Sequence, residues 1–461
     1  MDYKDETIAA IATPIGVGGI GIIRISGHNA ENIVRKIFRS KRPIKTLESF
    51  RLYLGYIIDP KSNLPLDEVL LSIMYAPFSY TRENVVEVNS HSGHTILSSI
   101  LQIILQAGAR LARPGEFTLR AFLNGRIDLT QAEAIIDLIN AKGDMSVQLA
   151  ASQLAGGLWT RIKEIRQAII EILTEIEAAI DFPDEESTTI NRSHITDQIN
   201  KKILKPIKEF ISAYSQRKIW HEGVAIVIVG RVNVGKSSIL NRLLQEERAI
   251  VTHVPGTTRD IIECMVNIEG LPVRLIDTAG IRKVKGTVEK KGVDLTKTQL
   301  TLADLTLLVI DWSRPLNQHD LNLLKGADKK TTIVVINKID LPVKLSEKKI
   351  DYAFKHLSRV KVSALTGEGL KKLNKMIFNK VMDQQIDISP TPIIPNLRHK
   401  IALTKAANFL KNASTNLIGG FPLEIVAADL SWAKDAVDEI TGNKTNEEIL
   451  NNIFSRFCLG K

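Results

Sequence analysis

Short β-branched runs alternate with turn residues through the first 122 residues of the chain. Runs 20–25, 69–74 and 85–88 predict strands, and 94–107 predicts a helix. Gly16, Gly18, Gly19 and Gly21 punctuate a tight turn before the first strand. This is an α+β pattern. From Thr130 the period changes: Thr130 and Glu133 fit a capping box, and the stretch that follows reads as helical to Pro183. Ile162, Ile165, Ile169, Leu173, Ile176 and Ile180 recur at spacings of three and four, one apolar stripe of a helix. A second amphipathic stretch runs to about Tyr214. Its Lys201, Lys202, Lys205 and Lys208, with Arg217 and Lys218, read first as a solvated helix face; an RNA-facing surface is the sharper alternative.

Between 221 and 382 the rhythm is that of a parallel sheet with crossover helices. Apolar runs fall at 224–229, 273–276, 305–310, 332–336 and 360–362. The Pro-rich segment 389–395 reads as a linker, and a helix over 396–416 with two more closes the chain. The predicted architecture is an α+β domain (1–122), an all-α domain in two pieces (123–220 and 383–461), and an α/β unit (221–382) inserted into it.

At 461 residues the chain exceeds what one core supports. No apolar run approaches the roughly 18 residues that span a bilayer, and residues 1–6 lack the basic and apolar regions of a secretory signal. Two cysteines, Cys264 and Cys458, are too few for a disulfide framework, so a reducing cytoplasm is expected. The net charge of +10 permits a polyanion such as RNA as partner.

Gly230-Arg231-Val232-Asn233-Val234-Gly235-Lys236-Ser237 has the P-loop spacing, between a strand and a helical run. Its glycines admit phosphate to backbone amides, Lys236 reaches the β- and γ-phosphates, and Ser237 offers a hydroxyl to Mg²⁺. Asp277-Thr278-Ala279-Gly280 follows a strand and places a carboxylate toward the Mg²⁺ and an amide near the γ-phosphate. Asp340 in Asn337-Lys338-Ile339-Asp340 can accept both the N1–H and 2-amino hydrogens of guanine, which adenine lacks. Ser363-Ala364 can meet O6 with an amide, and Thr258 completes the Mg²⁺ shell. The nucleotide is GTP. Its expected contacts add Val234, Ser238 and the 252–258 run Thr252, His253, Val254, Pro255, Gly256, Thr257 and Thr258.

Ile281 occupies the place where a glutamine orients water in Ras-type enzymes. Some other group must do so. Asn233 could ligate a monovalent cation against the phosphates. Glu289 is a candidate for holding water, although pairing with Lys290 or Lys285 on the surface is favoured from its position alone. His91 and His94 have no Cys or acidic partner set, so a loop or capping role is favoured over a metal.

The chain resembles the tRNA modification GTPase family MnmE (also called TrmE) over essentially its full length. The resemblance rests on Ala12-Thr13-Pro14, Arg24-Ile25-Ser26-Gly27, Ala112-Arg113-Pro114-Gly115-Glu116-Phe117-Thr118, Ala121-Phe122-Leu123-Asn124-Gly125, Asp128-Leu129-Thr130-Gln131-Ala132-Glu133, the GTPase segments and the terminal Phe457-Cys458-Leu459-Gly460-Lys461. It implies a homodimer whose N-terminal domain binds a tetrahydrofolate, either 5,10-methylenetetrahydrofolate or bound 5-formyltetrahydrofolate as an analogue. It also implies an FAD-dependent partner, a tRNA substrate modified at the wobble uridine, and K⁺-dependent hydrolysis. By the same resemblance the folate contacts fall on Arg24, Glu83, Arg126 and Lys461. K⁺ falls on Asn233, Thr252, Val254 and Thr257, Mg²⁺ on Ser237 and Thr258, and the water-orienting glutamate on Glu289, which with the resemblance outweighs its surface reading. Cys458 is expected near the folate, its chemical role left open between nucleophile, proton donor and inert filling. A ribosome-assembly or other RNA-associated regulatory GTPase is the alternative, weakened by the lack of a G-x-x-G loop after the nucleotide-binding unit.

Overall fold

The computed structural model describes residues 6–14, 16, 18–183, 190–246, 263–277, 303–325, 327–345, 355–383 and 393–461. The chain divides into two compact units, one of Met1–Ile136, Leu154–Leu204 and Lys405–Lys461, the other of Asp137–Gln153 and Lys205–Thr404.

The first unit begins with strands β1 (Ile8–Ile11), β2 (Ile20–Ser26), β3 (Phe38–Ser40), β4 (Leu52–Ile58), β5 (Pro65–Met74), β6 (Val85–His91) and β7 (Arg110–Leu111). They form one sheet in the order β3-β4-β5-β6-β2-β1-β7, antiparallel throughout except for the β1–β7 pair. The helices α1 (Ala30–Ile37) and α2 (His94–Gln106) cover one face, where Ile23, Ile25, Leu71, Ile73, Val86 and Val88 meet Ile33, Val34, Ile100 and Ile104. Side chains alternate along strands, so Ile22 and Arg24 of β2 take the other face, opposite Asn89 and Glu87. On that side Ile20, Leu52, Leu54 and Leu70 are exposed by 66%, 65%, 43% and 41%. Gly21 lies within β2, as the 20–25 run predicts, and not in the turn before it. A Cβ there would lie 2.7 Å from Leu97, so the bare backbone lets α2 sit close.

The helices α3 (Glu116–Leu123) and α4 (Leu129–Ile139) follow. The cap of α4 is set two residues earlier than Thr130 and Glu133 suggest. Asp128 Oδ1 accepts from the amides of Thr130 and Gln131 at 2.7 and 3.1 Å, and Gln131 Oε1 accepts from the Asp128 amide at 3.0 Å. The Thr130 hydroxyl itself donates to Asp128, a better-placed and charged acceptor. Beyond α5 (Asp144–Leu154), the helix α6 (Gly157–Asp181) buries Ile162, Ile165, Ile169 and Ile176 as expected, but Ile172 and Ala179 replace Leu173 and Ile180 at the centre of the stripe. Spacings of three and four leave that choice open, and packing decides it. After α7 (Arg192–Gln198) comes a π-helical segment, Ile199–Leu204.

The second unit contains α8 (Lys205–Glu222), β8 (Val224–Val229), α9 (Lys236–Glu246), β9 (Glu263–Ile268), β10 (Leu271–Asp277), β11 (Leu305–Asp311), α10 (Gln318–Lys325), β12 (Thr332–Asn337), β13 (Ser358–Lys361) and α11 (Leu370–Asp383). The sheet order is β13-β12-β11-β8-β10-β9, parallel except for β9, which the sequence pattern did not separate. All six residues of β8 are buried, as a strand covered on both faces requires. The 137–153 segment belongs to this unit. Leu149 joins the apolar cluster of Val224 and Leu271, Ser146 donates to the Trp220 carbonyl, and Arg217 Nη2 reaches both Asp137 oxygens at 2.8 and 2.7 Å. Lys201, Lys202, Lys205 and Lys208 are exposed, as the solvated-face reading expects, whereas Arg217 is not simply solvated. The end of the expected linker is anchored too. Ile393 and Ile394 are buried, and Gln153 Nε2 donates to the Ile394 carbonyl at 2.7 Å; residues 389–392 lie outside the described residues.

The final helices are α12 (Leu397–Ile418), α13 (Leu423–Thr441) and α14 (Glu447–Phe454). In the first unit α13 lies along α6, where Arg166 Nε donates to Asp438 Oδ1 at 2.6 Å. Among the described residues no helix is long and apolar enough to cross a membrane.

Candidate functional site

The loop after β8 turns through backbone conformations that constrain its sequence. Gly230 has φ +150°, and a Cβ on it would lie 2.4 Å from the Val309 carbonyl oxygen; Gly235 has φ +96°, and its Cβ would lie 2.2 Å from Asn337 Nδ2. Side chains are excluded at both positions by φ and by space. Asn233 is also left-handed, at φ +65°, a conformation asparagine tolerates better than most residues. Lys236 opens α9, and its Nζ donates back to the carbonyls of Gly230 and Arg231 at 2.8 and 2.9 Å. Ser237 and Ser238 follow in the first helical turn, where free amides and the helix dipole favour an anion.

The segment after β12 is tied to this loop. Asn337 Nδ2 donates to the Val234 carbonyl at 2.9 Å, and its Oδ1 accepts from the Ala364 amide at 3.1 Å. Lys338, at φ +67°, donates from Nζ to the Asn233 carbonyl at 2.7 Å and to Asp311 Oδ2 at 2.8 Å. Ser363 Oγ donates to Asp340 Oδ1 and accepts from the Thr366 amide at 3.1 Å. Residues 233–238, 337–340 and 363–364 thus come together at the strand ends. Asp277 ends β10; its side chain lies outside the described residues, as do Thr252, His253, Val254, Pro255, Gly256, Thr257, Thr258, Thr278, Ala279, Gly280 and Glu289.

Asp311 escaped the sequence reading. Its side chain is wholly buried, and it accepts from Lys338 and from the Ser313 amide and hydroxyl at 2.9 and 2.6 Å. Burial alone would raise this carboxyl, but the Lys338 and Ser313 hydrogen bonds outweigh it and hold the group below the usual aspartate range. The signal was an acid closing an otherwise apolar strand, in register with Asn337.

A second constellation lies in the first unit. Arg24 Nε donates to Glu87 at 2.8 Å across the β2–β6 pair, and Nη1 donates to the Gly460 carbonyl at 3.4 Å. Its guanidinium sits 5.3 Å from the Tyr80 ring centroid and 5.8 Å from that of Phe117. Arg126 approaches the same Tyr80 ring at 4.8 Å. Glu83 accepts from Ser26 Oγ at 2.7 Å and from Arg120 Nη1 at 3.1 Å, and Arg120 is paired in turn with the buried Glu116 at 3.2 Å. Burial would raise the Glu116 carboxyl, but Arg110 and the Arg113 amide override it and keep it low.

The terminal segment is fixed by Gly460. At φ +91°, a Cβ there would lie 2.3 Å from the Ile11 carbonyl oxygen. Lys461 follows, half-buried, and Cys458 is an exposed free thiol. Arg24 and Arg126 therefore meet on Tyr80, the terminal segment is tied to Arg24 through the Gly460 carbonyl, and Glu83 is held by Ser26, the second residue after Arg24 on β2. Sequence reasoning missed Tyr80, Glu87 and Arg120, which carry no motif of their own. His91 pairs with Asp67 at 2.7 Å, whose hydrogen bond raises the imidazole pKa; no group of three metal-ligating side chains occurs among the described residues.

Comparisons with known proteins cover the whole chain. The family model for the GTP-binding protein TrmE N-terminus matches residues 7–126, and that for the MnmE helical domain matches residues 129–458. The tRNA modification GTPase MnmE of Acetivibrio thermocellus is 43% identical over 459 residues, covering 100% of both chains. That of Geobacter metallireducens is 45% identical over 460 residues, again covering 100% of both. The Lactiplantibacillus plantarum relative is 42% identical over 457 residues, covering 99% of this chain and 98% of its own. The chain belongs to the MnmE (TrmE) family of tRNA modification GTPases.

Proposed function

We propose that the protein is a K⁺-dependent GTPase that modifies tRNA. With an FAD-dependent partner it adds a (carboxymethyl)aminomethyl group to C5 of the wobble uridine, the carbon coming from a tetrahydrofolate. The observation that carries the folate part is the meeting of Arg24 and Arg126 on the Tyr80 ring, with the Gly460 carbonyl accepting from Arg24. A tetrahydrofolate brings a planar pyrimidinone ring rich in N–H groups and a carboxylate tail. Tyr80 and Phe117 offer faces, Glu83 an acceptor, and the two arginines and Lys461 positive charge, so the residues present suit it. Methylenetetrahydrofolate, when bound, supplies the one-carbon unit; Arg24, Glu83, Arg126 and Lys461 would hold it.

In the nucleotide unit Lys236 and the α9 amides bind the phosphates, Asp340 reads guanine, and Ser237 with Thr258 would hold Mg²⁺. Lys338 occupies the Asn233 carbonyl. This leaves the Asn233 amide oxygen for K⁺, with Thr252, Val254 and Thr257, and Glu289 for the attacking water. The exposed Ile20, Leu52, Leu54 and Leu70 on one sheet face support a homodimer. The +10 charge supports tRNA as partner, and the cytoplasm is the proposed site of action.

Replacing K⁺ by Na⁺ should slow GTP turnover by about a hundredfold, the scale of losing one charge-stabilising group; equal rates would remove the cation from the reading. Absence of tetrahydrofolate binding would favour a ribosome-assembly or regulatory GTPase instead.

A further inference from the structure

In the unit that carries both chain termini, a cavity of about 610 Å³ opens between the 125–128 turn, the start of α6 and the end of α13. That volume lies within the usual range for small-molecule sites. Phe122 and Trp159 supply aromatic surface, and Arg126 and Asn443 supply polar groups. Gly442 sits at φ +92°, and a Cβ on it would come 2.8 Å from the Phe122 ring, so the glycine keeps that wall in place. Arg126 stacks on Tyr80 and has no carboxylate partner among the described residues. Asn443 donates its Nδ2 to Asp438 at 3.2 Å, which leaves its Oδ1 to accept. Lys163 covers the Trp159 ring from 4.8 Å, a cation beside the opening suited to a phosphate backbone.

We propose that this cavity receives the uracil of the tRNA nucleotide to be modified, turned out of its stack onto Trp159. The proposal rests on the tRNA-modification reading above and adds the place where the base binds. Proteins that act on single bases extrude them and hold them by stacking and by hydrogen bonds to the pairing edge. The uracil edge presents one N–H between two carbonyls. Asn443 Oδ1 accepts the N–H, and Arg126, a donor at every nitrogen, meets O4. Cytosine carries an amino group where uracil carries O4, so a donor-only arginine rejects it. Arg126 also belongs to the Tyr80 group, which places the base next to the proposed one-carbon carrier. Phe122 continues to Phe454 and Phe457 at ring separations of 6.4 and 5.7 Å, and Cys458 follows directly.

The test uses full-length protein and an anticodon stem-loop carrying 4-thiouridine at the wobble position. Irradiation should yield adducts in peptides containing Trp159 or Phe122; adducts confined to other peptides would overturn the assignment. In cells lacking the protein, the wild-type gene should restore wobble-uridine modification. Trp159→Ala should lower it about tenfold, as loss of one stacking platform implies, while Trp159→Phe retains it. Equal melting temperatures establish that the variants fold. Full modification by Trp159→Ala defeats the cavity proposal alone, because the tRNA reading survives with the wild type. Loss of tetrahydrofolate binding in Trp159→Ala would give the cavity to the pterin and also overturn the proposal. Failure of the wild type to restore modification sinks the tRNA reading and the proposal together.

Discussion

The nucleotide site and the Tyr80 constellation are built in opposite ways. The first is assembled from consecutive residues at the ends of β8, β11 and β12, joined by short links from Asn337 and Lys338 to the loop carbonyls. The second draws single residues from β2, the loop before β6, α3, the turn after it and the last residues of the chain. A phosphate is gripped largely by backbone, so its site demands a local backbone path. A folate-like molecule would be gripped by side chains, which any element can donate. Local sites leave strings in a sequence; distributed ones leave isolated residues.

Four substitutions probe this contrast. Asp340→Asn removes the proposed acceptor for guanine N–H groups and should cut GTP affinity by about a thousandfold while favouring xanthosine triphosphate. Competition binding measures both, and unchanged GTP affinity would remove the base-reading role. Arg24→Ala should weaken tetrahydrofolate binding by about a hundredfold with GTP affinity preserved in the same titration; a parallel fall in both would blur the two sites into one. Gly460→Ala forces a Cβ against the Ile11 carbonyl in a left-handed conformation and should cost about 2 kcal/mol, read as earlier proteolysis of the terminal segment. Asp311→Asn should weaken GTP binding about tenfold by loosening Lys338. The folded state holds the Asp311 carboxyl low, so its stabilisation is complete above the ordinary aspartate range and drains away as pH falls below it. Thermal melts should therefore show a shallower acid decline for Asp311→Asn than for the wild type.

The same contrast explains what could be read in advance. The P-loop, the Asn337–Asp340 run and five core strands of the second sheet were legible because each is a contiguous pattern. Asp311 was not, since its role exists only through its register with Asn337. The four folate candidates were accessible only through resemblance; Tyr80, which joins two of them, sits in an unremarkable loop. β1 was missed because Ala9 and Ala10 dilute its strand signal, although both are fully enclosed. The capping error at α4 arose because two overlapping four-residue patterns compete, and only the Asp128 hydrogen bonds discriminate between them.

The chain passes between the two units at four points, after Ile136, Gln153, Leu204 and Thr404. A recombinant piece trimmed to 221–382 would carry every guanine-nucleotide motif yet omit Leu149, Trp220 and Ile394, which belong to the apolar cluster beneath its sheet. Such a piece would present bare hydrocarbon to water. Its solubility and turnover would then report the surgery rather than the enzyme, and studies of the switch are better made on the intact polypeptide.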